Sequence, residues 1–212
     1  KNVTATNLRL AAVGSIGTSD RHVTTNIDNV SASAATGSIF VTEDDAAIVR
    51  DVTVTVTEFN SDATTTDITD AAQSDLATGA DGDIVLVATA GNITLTDGSD
   101  TDNISVTANG AGNILIDALA ASVTANADIL SDTGDITITA DDDIEFTANV
   151  NVTTAAPGTV SIDAETGTLT MDGTANVEAT GSSARLNAAL DVIVGNVTAT
   201  NVSIVSGEDI VN

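Results

Sequence analysis

Between Asp97 and Asn103 the chain reads Asp-Gly-Ser-Asp-Thr-Asp-Asn. Hard divalent cations take six to eight oxygen ligands from carboxylates, amide side chains and turn carbonyls. Asp97, Asp100 and Asp102 bring three carboxylates to one glycine-bearing loop, so calcium binding is the chemistry this stretch could perform. It lacks the spacing and closing glutamate of an EF-hand loop, and it is not a glycine-rich nonapeptide. Asp141-Asp142-Asp143 and the pair Asp81/Asp83 are weaker candidates. With 31 acidic residues in the chain, such clusters also arise as ordinary acidic corners.

Catalysis finds less support. Glu43-Asp44-Asp45 and the other acidic groups could in principle supply a carboxylate pair for glycoside hydrolysis. The chain has one histidine, five Lys plus Arg, and neither Tyr nor Trp to stack on a sugar ring. His22 lies in a polar segment between Arg21 and Val23 and is expected to be solvated. No enzyme activity is expected. Thr-x-Thr recurs at Thr94/Thr96, Thr137/Thr139 and Thr168/Thr170, which would suit an ice-binding ladder. Leu115/Asp117 and Ser161/Asp163 occupy the equivalent places in other repeats and break it.

The elements that carry these loops are strands. A phrase of glycine, small polar residue, aliphatic, polar residue, aliphatic recurs at Gly82–Leu86, Gly91–Leu95, Gly112–Ile116, Gly134–Ile138, Gly158–Ile162 and Gly167–Met171. Alternation with period two marks a half-buried strand, and the leading glycine marks a corner where a positive φ is expected. Starts of apolar cores at Ile114, Ile136, Val160 and Leu186 are 22, 24 and 26 residues apart. Three short strands in each such interval are what a parallel β-helix requires, because no single turn can bury its own apolar face. A hairpin-linked sandwich would need more Asn-Gly and Asp-Gly turns than the four present. Aromatic residues make up 1% of the chain, so the core must be built from thin layers of Val, Ile, Leu and Ala. Ile93, Ile114, Ile136, Val160 and Leu169 are expected to point inward. About nine turns at ~4.8 Å would give a rod of about 40 to 45 Å.

Along the chain, residues 1–57 form less regular turns, with a clean strand at Val52–Val56. Residues 58–81 read as an irregular loop, with a helical turn at Ala71–Leu76. Residues 82–212 form regular turns of one solenoid segment. Asn2–Asn7 and Asn196–Asn201 are identical, Asn-Val-Thr-Ala-Thr-Asn, which suggests that the unit restarts near residue 196. Neither end shows a cap, so the chain reads as a fragment of a longer array whose copies stack end to end.

The Gly-x-Ile-x-Leu strands, with Asn7–Leu10, Ser15–Thr18, Val23–Val30 and Gly37–Ile39, resemble the repeats of filamentous haemagglutinin-like bacterial exoproteins. The resemblance covers nearly the whole chain. It implies a right-handed β-helical shaft, an extracellular location at the bacterial cell surface, and a non-catalytic role in adhesion or matrix. The alternative is a module that recognises a surface glycan or receptor through the 58–81 loop.

Charge bounds the partners. A formal charge of −26 disfavours nucleic acid and anionic membranes, since neither gains from counterion release here. No apolar run approaches the ~20 residues of a membrane-spanning helix. Divalent cations or high salt should be stabilising.

Overall fold

The computed structural model describes residues 1–212 and contains no helix. Its 22 strands divide into a sheet of 20 and a two-stranded hairpin. β1 (Val3–Ala12) and β2 (Val23–Ala34) are long strands paired in parallel, with Leu8 beside Val30 and Leu10 beside Ala32. β3 (Ile39–Glu43) and β4 (Ala47–Val49) pair with successive parts of β2. β5 (Val52–Phe59) and β6 (Thr65–Gln73) then leave the sheet as the hairpin.

From Leu76 onward the pattern becomes regular. β7 (Leu76–Thr78), β8 (Ile84–Ala88) and β9 (Ile93–Leu95) each pair in parallel with the strand three places on. Those partners are β10 (Ile104–Ala108), β11 (Ile114–Ala118) and β12 (Val123–Ala125). They pair in turn with β13 (Asp128–Ser131), β14 (Ile136–Ala140) and β15 (Ile144–Phe146). The next set is β16 (Asn151–Ala155), β17 (Val160–Ala164) and β18 (Leu169–Met171). β19 (Asn176–Ala188) spans two positions at once, pairing with both β16 and β17. β20 (Val192–Ile193), β21 (Asn196–Ser206) and β22 (Ile210–Val211) complete the array. Apart from the hairpin, every pairing between named strands is parallel, an arrangement that fits a β-solenoid.

Alternation decides which side chains fill it. Ile84, Ile114, Ile136 and Val160 stand in register and are buried, as are Leu86, Ile116, Ile138 and Ile162. Ile93, Val123, Ile144, Leu169 and Val192 form a further stacked column. Together with their neighbours they make one core cluster of 41 residues. Large and small side chains compensate between layers: Phe146 lies between Ala125 and Met171. The column through Ile16, Ile39, Ile84, Ile114, Ile136, Val160, Ala184 and Val202 has eight rungs. Seven steps of ~4.8 Å make it about 34 Å long, shorter than the expected rod because the hairpin strands are not rungs.

The glycines that open the repeats serve close approach rather than a turn. Gly82, Gly112, Gly134 and Gly158 do not have φ in the left-handed region. A Cβ on Gly112 would lie 2.2 Å from the carbonyl oxygen of Gly82, and one on Gly134 would lie 2.0 Å from that of Gly112. The expected positive φ occurs instead at Gly17, Gly98, Gly110 and Gly181.

The polar residue after each glycine has its own task. Asn113 donates its backbone N–H to Asp83 Oδ1 at 2.9 Å, Asp135 to Asn113 Oδ1 at 2.9 Å, and Thr159 to Asp135 Oδ1 at 2.8 Å. A second corner repeats the device through Asn92, Ser122, Asp143 and Thr168. Each layer thus offers a side-chain oxygen to the backbone of the next, satisfying corner amides that no strand ladder reaches.

Three expectations change. Residues 58–81 are not an irregular loop: they contain β6 and β7, and no helical turn forms at Ala71–Leu76. Val52–Val56 is a strand, but in the hairpin; beyond Val52 its side chains are not buried. His22 is half-buried: its Nδ1 lies 2.7 Å from Thr42 Oγ1 and its ring centroid 5.5 Å from that of Phe40.

Candidate metal centre

The spacing between stacked rungs locates what has been inserted. Ile114 to Ile136 is 22 residues, and Ile136 to Val160 and Val160 to Ala184 are 24 each. Ile39 to Ile84 is 45, because the β5–β6 hairpin falls between β4 and β7. Ile84 to Ile114 is 30, because the Asp97–Asn103 loop falls between β9 and β10. β4 stacks on β9, and β7 on β10, so both insertions leave from the same corner, one layer apart.

They meet there. Asp75 follows the hairpin and precedes β7; its carboxylate groups with those of Asp100 and Asp102, one oxygen from each lying within 4.8 Å of the others. Of the three residues expected to hold a cation, the structure therefore joins Asp100 and Asp102 and replaces Asp97 by Asp75. Asp97 stays adjacent, but its Oδ1 accepts the Asn103 N–H at 3.0 Å. Asp102 Oδ1 accepts the Ile104 N–H at 2.9 Å.

Asp75 differs from its neighbours. It is 7% exposed and adopts φ 64°, and its backbone carbonyl accepts the Ala32 N–H at 2.9 Å. Its Oδ1 is buried and has no hydrogen-bond partner. Burial pushes this carboxyl up to about 8, with the charges of Asp100, Asp102 and Asp97 adding to the shift. Asp97 is raised as well, first by desolvation and then by Asp100 and Asp102, against the hydrogen bond from Asn103. None of the four has a basic partner: the three ion pairs of the chain are Lys1–Asp44, Arg50–Asp51 and Arg185–Asp163.

Other acidic groups are committed to the backbone. Asp81 Oδ1 accepts the Ala111 N–H at 2.8 Å, and Asp143 Oδ1 the Thr168 N–H at 2.8 Å. Glu43 is fully buried, with Oε1 accepting the Ile27 N–H at 3.2 Å and Oε2 the Thr25 hydroxyl. Its alternation with Ile39 and Val41 was the one available sign that this carboxylate would point inward. Asp75 carried no such sign.

The hairpin base is tied to the first layers. Gln73 Nε2 donates to the Leu10 carbonyl at 2.8 Å, and Arg9 Nε to the Ala71 carbonyl at 3.2 Å. Farther out, Val56, Phe59 and Ile68 are 57%, 75% and 47% exposed. Comparison with protein families, curated proteins and solved structures returned no match.

Proposed function

We propose that this chain is a rod segment of a secreted bacterial cell-surface fibre or adhesin, a scaffold without catalytic activity. The coil is right-handed, with three short strands per turn of 22–26 residues, as the resemblance to filamentous haemagglutinin-like repeats implies. The observation that carries this is the unbroken parallel column from Ile16 to Val202, filled by aliphatic side chains and edged by polar side chains that bond layer to layer. Such an arrangement supplies length and stiffness. Copies stack end to end in this reading, which is supported by the repeated Asn-Val-Thr-Ala-Thr-Asn: it runs from Asn2 into the long strand β1 and recurs at the start of the long strand β21.

Solution X-ray scattering on the 212-residue chain, with display of the same segment on a non-adherent bacterial surface, tests the proposal. A rod-like profile, adhesion of the displaying cells and no release of sugar from a panel of polysaccharides are expected. A globular profile or measurable turnover would overturn it.

A second function is favoured by the exposed Val56, Phe59 and Ile68: recognition of a surface glycan or receptor by the hairpin. Replacing residues 53–72 with a short glycine linker separates the two. Adhesion lost on that deletion assigns it to the hairpin; adhesion retained assigns it to the shaft.

A further inference from the structure

Two insertions in consecutive layers converge on one buried carboxylate that has no partner. We propose that Asp75, Asp100 and Asp102 form a divalent-cation site suited to calcium, and that the ion clasps the base of the β5–β6 hairpin to the following layer. The proposal stands apart from the rod function and does not require it.

The geometry suits the larger of the common hard cations. Calcium holds oxygens at 2.3–2.6 Å, so ligands on opposite sides of one ion lie up to ~5.2 Å apart. The three carboxylates fall inside that limit, at 4.8 Å or less. Magnesium demands near-ideal octahedral geometry at 2.0–2.1 Å and gives up its waters reluctantly, which one buried and two exposed carboxylates from separate insertions suit less well. Asp100 makes no hydrogen bond through its carboxylate, and Asp102 commits only Oδ1, to Ile104, which leaves oxygens free on both. Asp100 and Asp102 are exposed, so water can complete the shell.

Asp75 supplies the second, independent indication. A buried carboxylate oxygen with neither donor nor counter-charge is costly, and native structures satisfy such groups with a proton, a base or a metal. No Lys or Arg pairs with it, and no amide or hydroxyl donates to its Oδ1. A cation held by Asp75 inside and by Asp100 and Asp102 outside satisfies it. The consequence is mechanical. Asp75 is two residues beyond the last residue of β6, whereas Asp100 and Asp102 precede β10, which stacks on β7. One ion therefore cross-links the hairpin's exit to the next layer.

The test uses the 212-residue chain after treatment with a chelator, the Asp75→Asn variant and the double variant Asp100→Asn/Asp102→Asn. Calcium and magnesium are titrated by calorimetry and thermal melting. Calcium should bind once with Kd on the order of 10⁻⁴ M, in the weaker extracellular range. At a hundredfold excess it should raise Tm by about 5–10 °C, and magnesium should raise it less than half as far. Without metal, Asp75→Asn should melt at or above the parent temperature, because an unpaired buried carboxyl has been removed. It should then lose the calcium-dependent rise. The double variant lies at the surface, cannot be discounted as misfolded, and should lose the rise as well. Equal responses of all three proteins, or of the parent to both ions, would reduce the effect to charge screening and overturn the site. Either result leaves the scattering profile, and so the rod proposal, separately decidable.

Discussion

Replacing Gly134 by alanine would place a methyl group where the next layer's backbone already is. The new Cβ would lie 2.0 Å from the Gly112 carbonyl oxygen, 2.5 Å from its carbon and 2.9 Å from Ser131 Oγ. Relief from 2.0 Å to an ordinary contact of 3.4 Å requires the two layers to part by roughly 1.4 Å at this corner, in a core packed as tightly as an organic crystal. Overpacking of this kind costs about 1–3 kcal/mol. The same movement stretches the 2.8 Å bond from Ser131 Oγ to Gly112 O and the 2.9 Å bond from the Asp135 N–H to Asn113 Oδ1. Losing both adds about 1–3 kcal/mol, for a total of about 2–6 kcal/mol. Gly173 is the internal control, since a Cβ there meets nothing within 4 Å and its φ lies outside the left-handed region. Gly173→Ala should be neutral or slightly stabilising, by less than about 1 kcal/mol. Urea unfolding of the two variants beside the parent measures both. Equal midpoints for Gly134→Ala and the parent would show that the layers have slack, and that close stacking is not what the glycine column provides.

Ile136→Asp puts an unpaired charge into a fully buried site; it should cost several kcal/mol and leave the protein unfolded or aggregated, as circular dichroism and sedimentation would report. Stability of the chelator-treated protein should depend on pH with a defined sign. Asp75 keeps its proton to about 8 in the fold, near the charges of Asp97, Asp100 and Asp102, but ionises near 3.9 when unfolded. The folded chain then holds the extra proton between those values, so stability falls as pH rises through that window and levels above it. Asp75→Asn should flatten this slope in urea titrations at several pH values, and an unchanged slope would assign the effect to other groups. Deleting hairpin residues 53–72 should leave the melting temperature within a few degrees of the parent's, because β6 carries almost no buried side chain; a collapse of stability would mean the hairpin supports β1 and β2.

What could be read from the sequence follows from how local each signal is. The inward set Ile93, Ile114, Ile136, Val160 and Leu169 was legible because alternation is a property of five consecutive residues, and a strand buried on one face must show it. β6 was not, since Thr65–Gln73 has a single large aliphatic, Ile68, and is exposed on both faces; a strand that buries nothing has no reason to alternate. The leading glycines are legible as a signal, but not which constraint they answer. A tight turn and a close approach both demand the absence of a side chain, and only the stacked carbonyls distinguish them. Asp97, Asp100 and Asp102 stood out as a cluster within six residues, whereas Asp75 lies 25 residues before Asp100 and is flanked by nothing that marks it. Layer register, which no local pattern encodes, brings them together.

The acidity of the chain sharpens the distinction between these carboxylates. A charge of −26 on stacked layers brings like charges near one another. Part of that charge is engaged by position: Asp81, Asp83, Asp135 and Asp143 each receive an N–H from the adjacent layer. Acidic corners of this kind bind layers together and need no ion. The cluster at Asp75 departs from that rule at the point where two insertions interrupt the regular spacing and the layer-to-layer device has no amide to offer. A carboxylate that gives up its proton there must be compensated from outside the chain, and the proposed cation site therefore falls at this corner and not at the acidic run Asp141–Asp143.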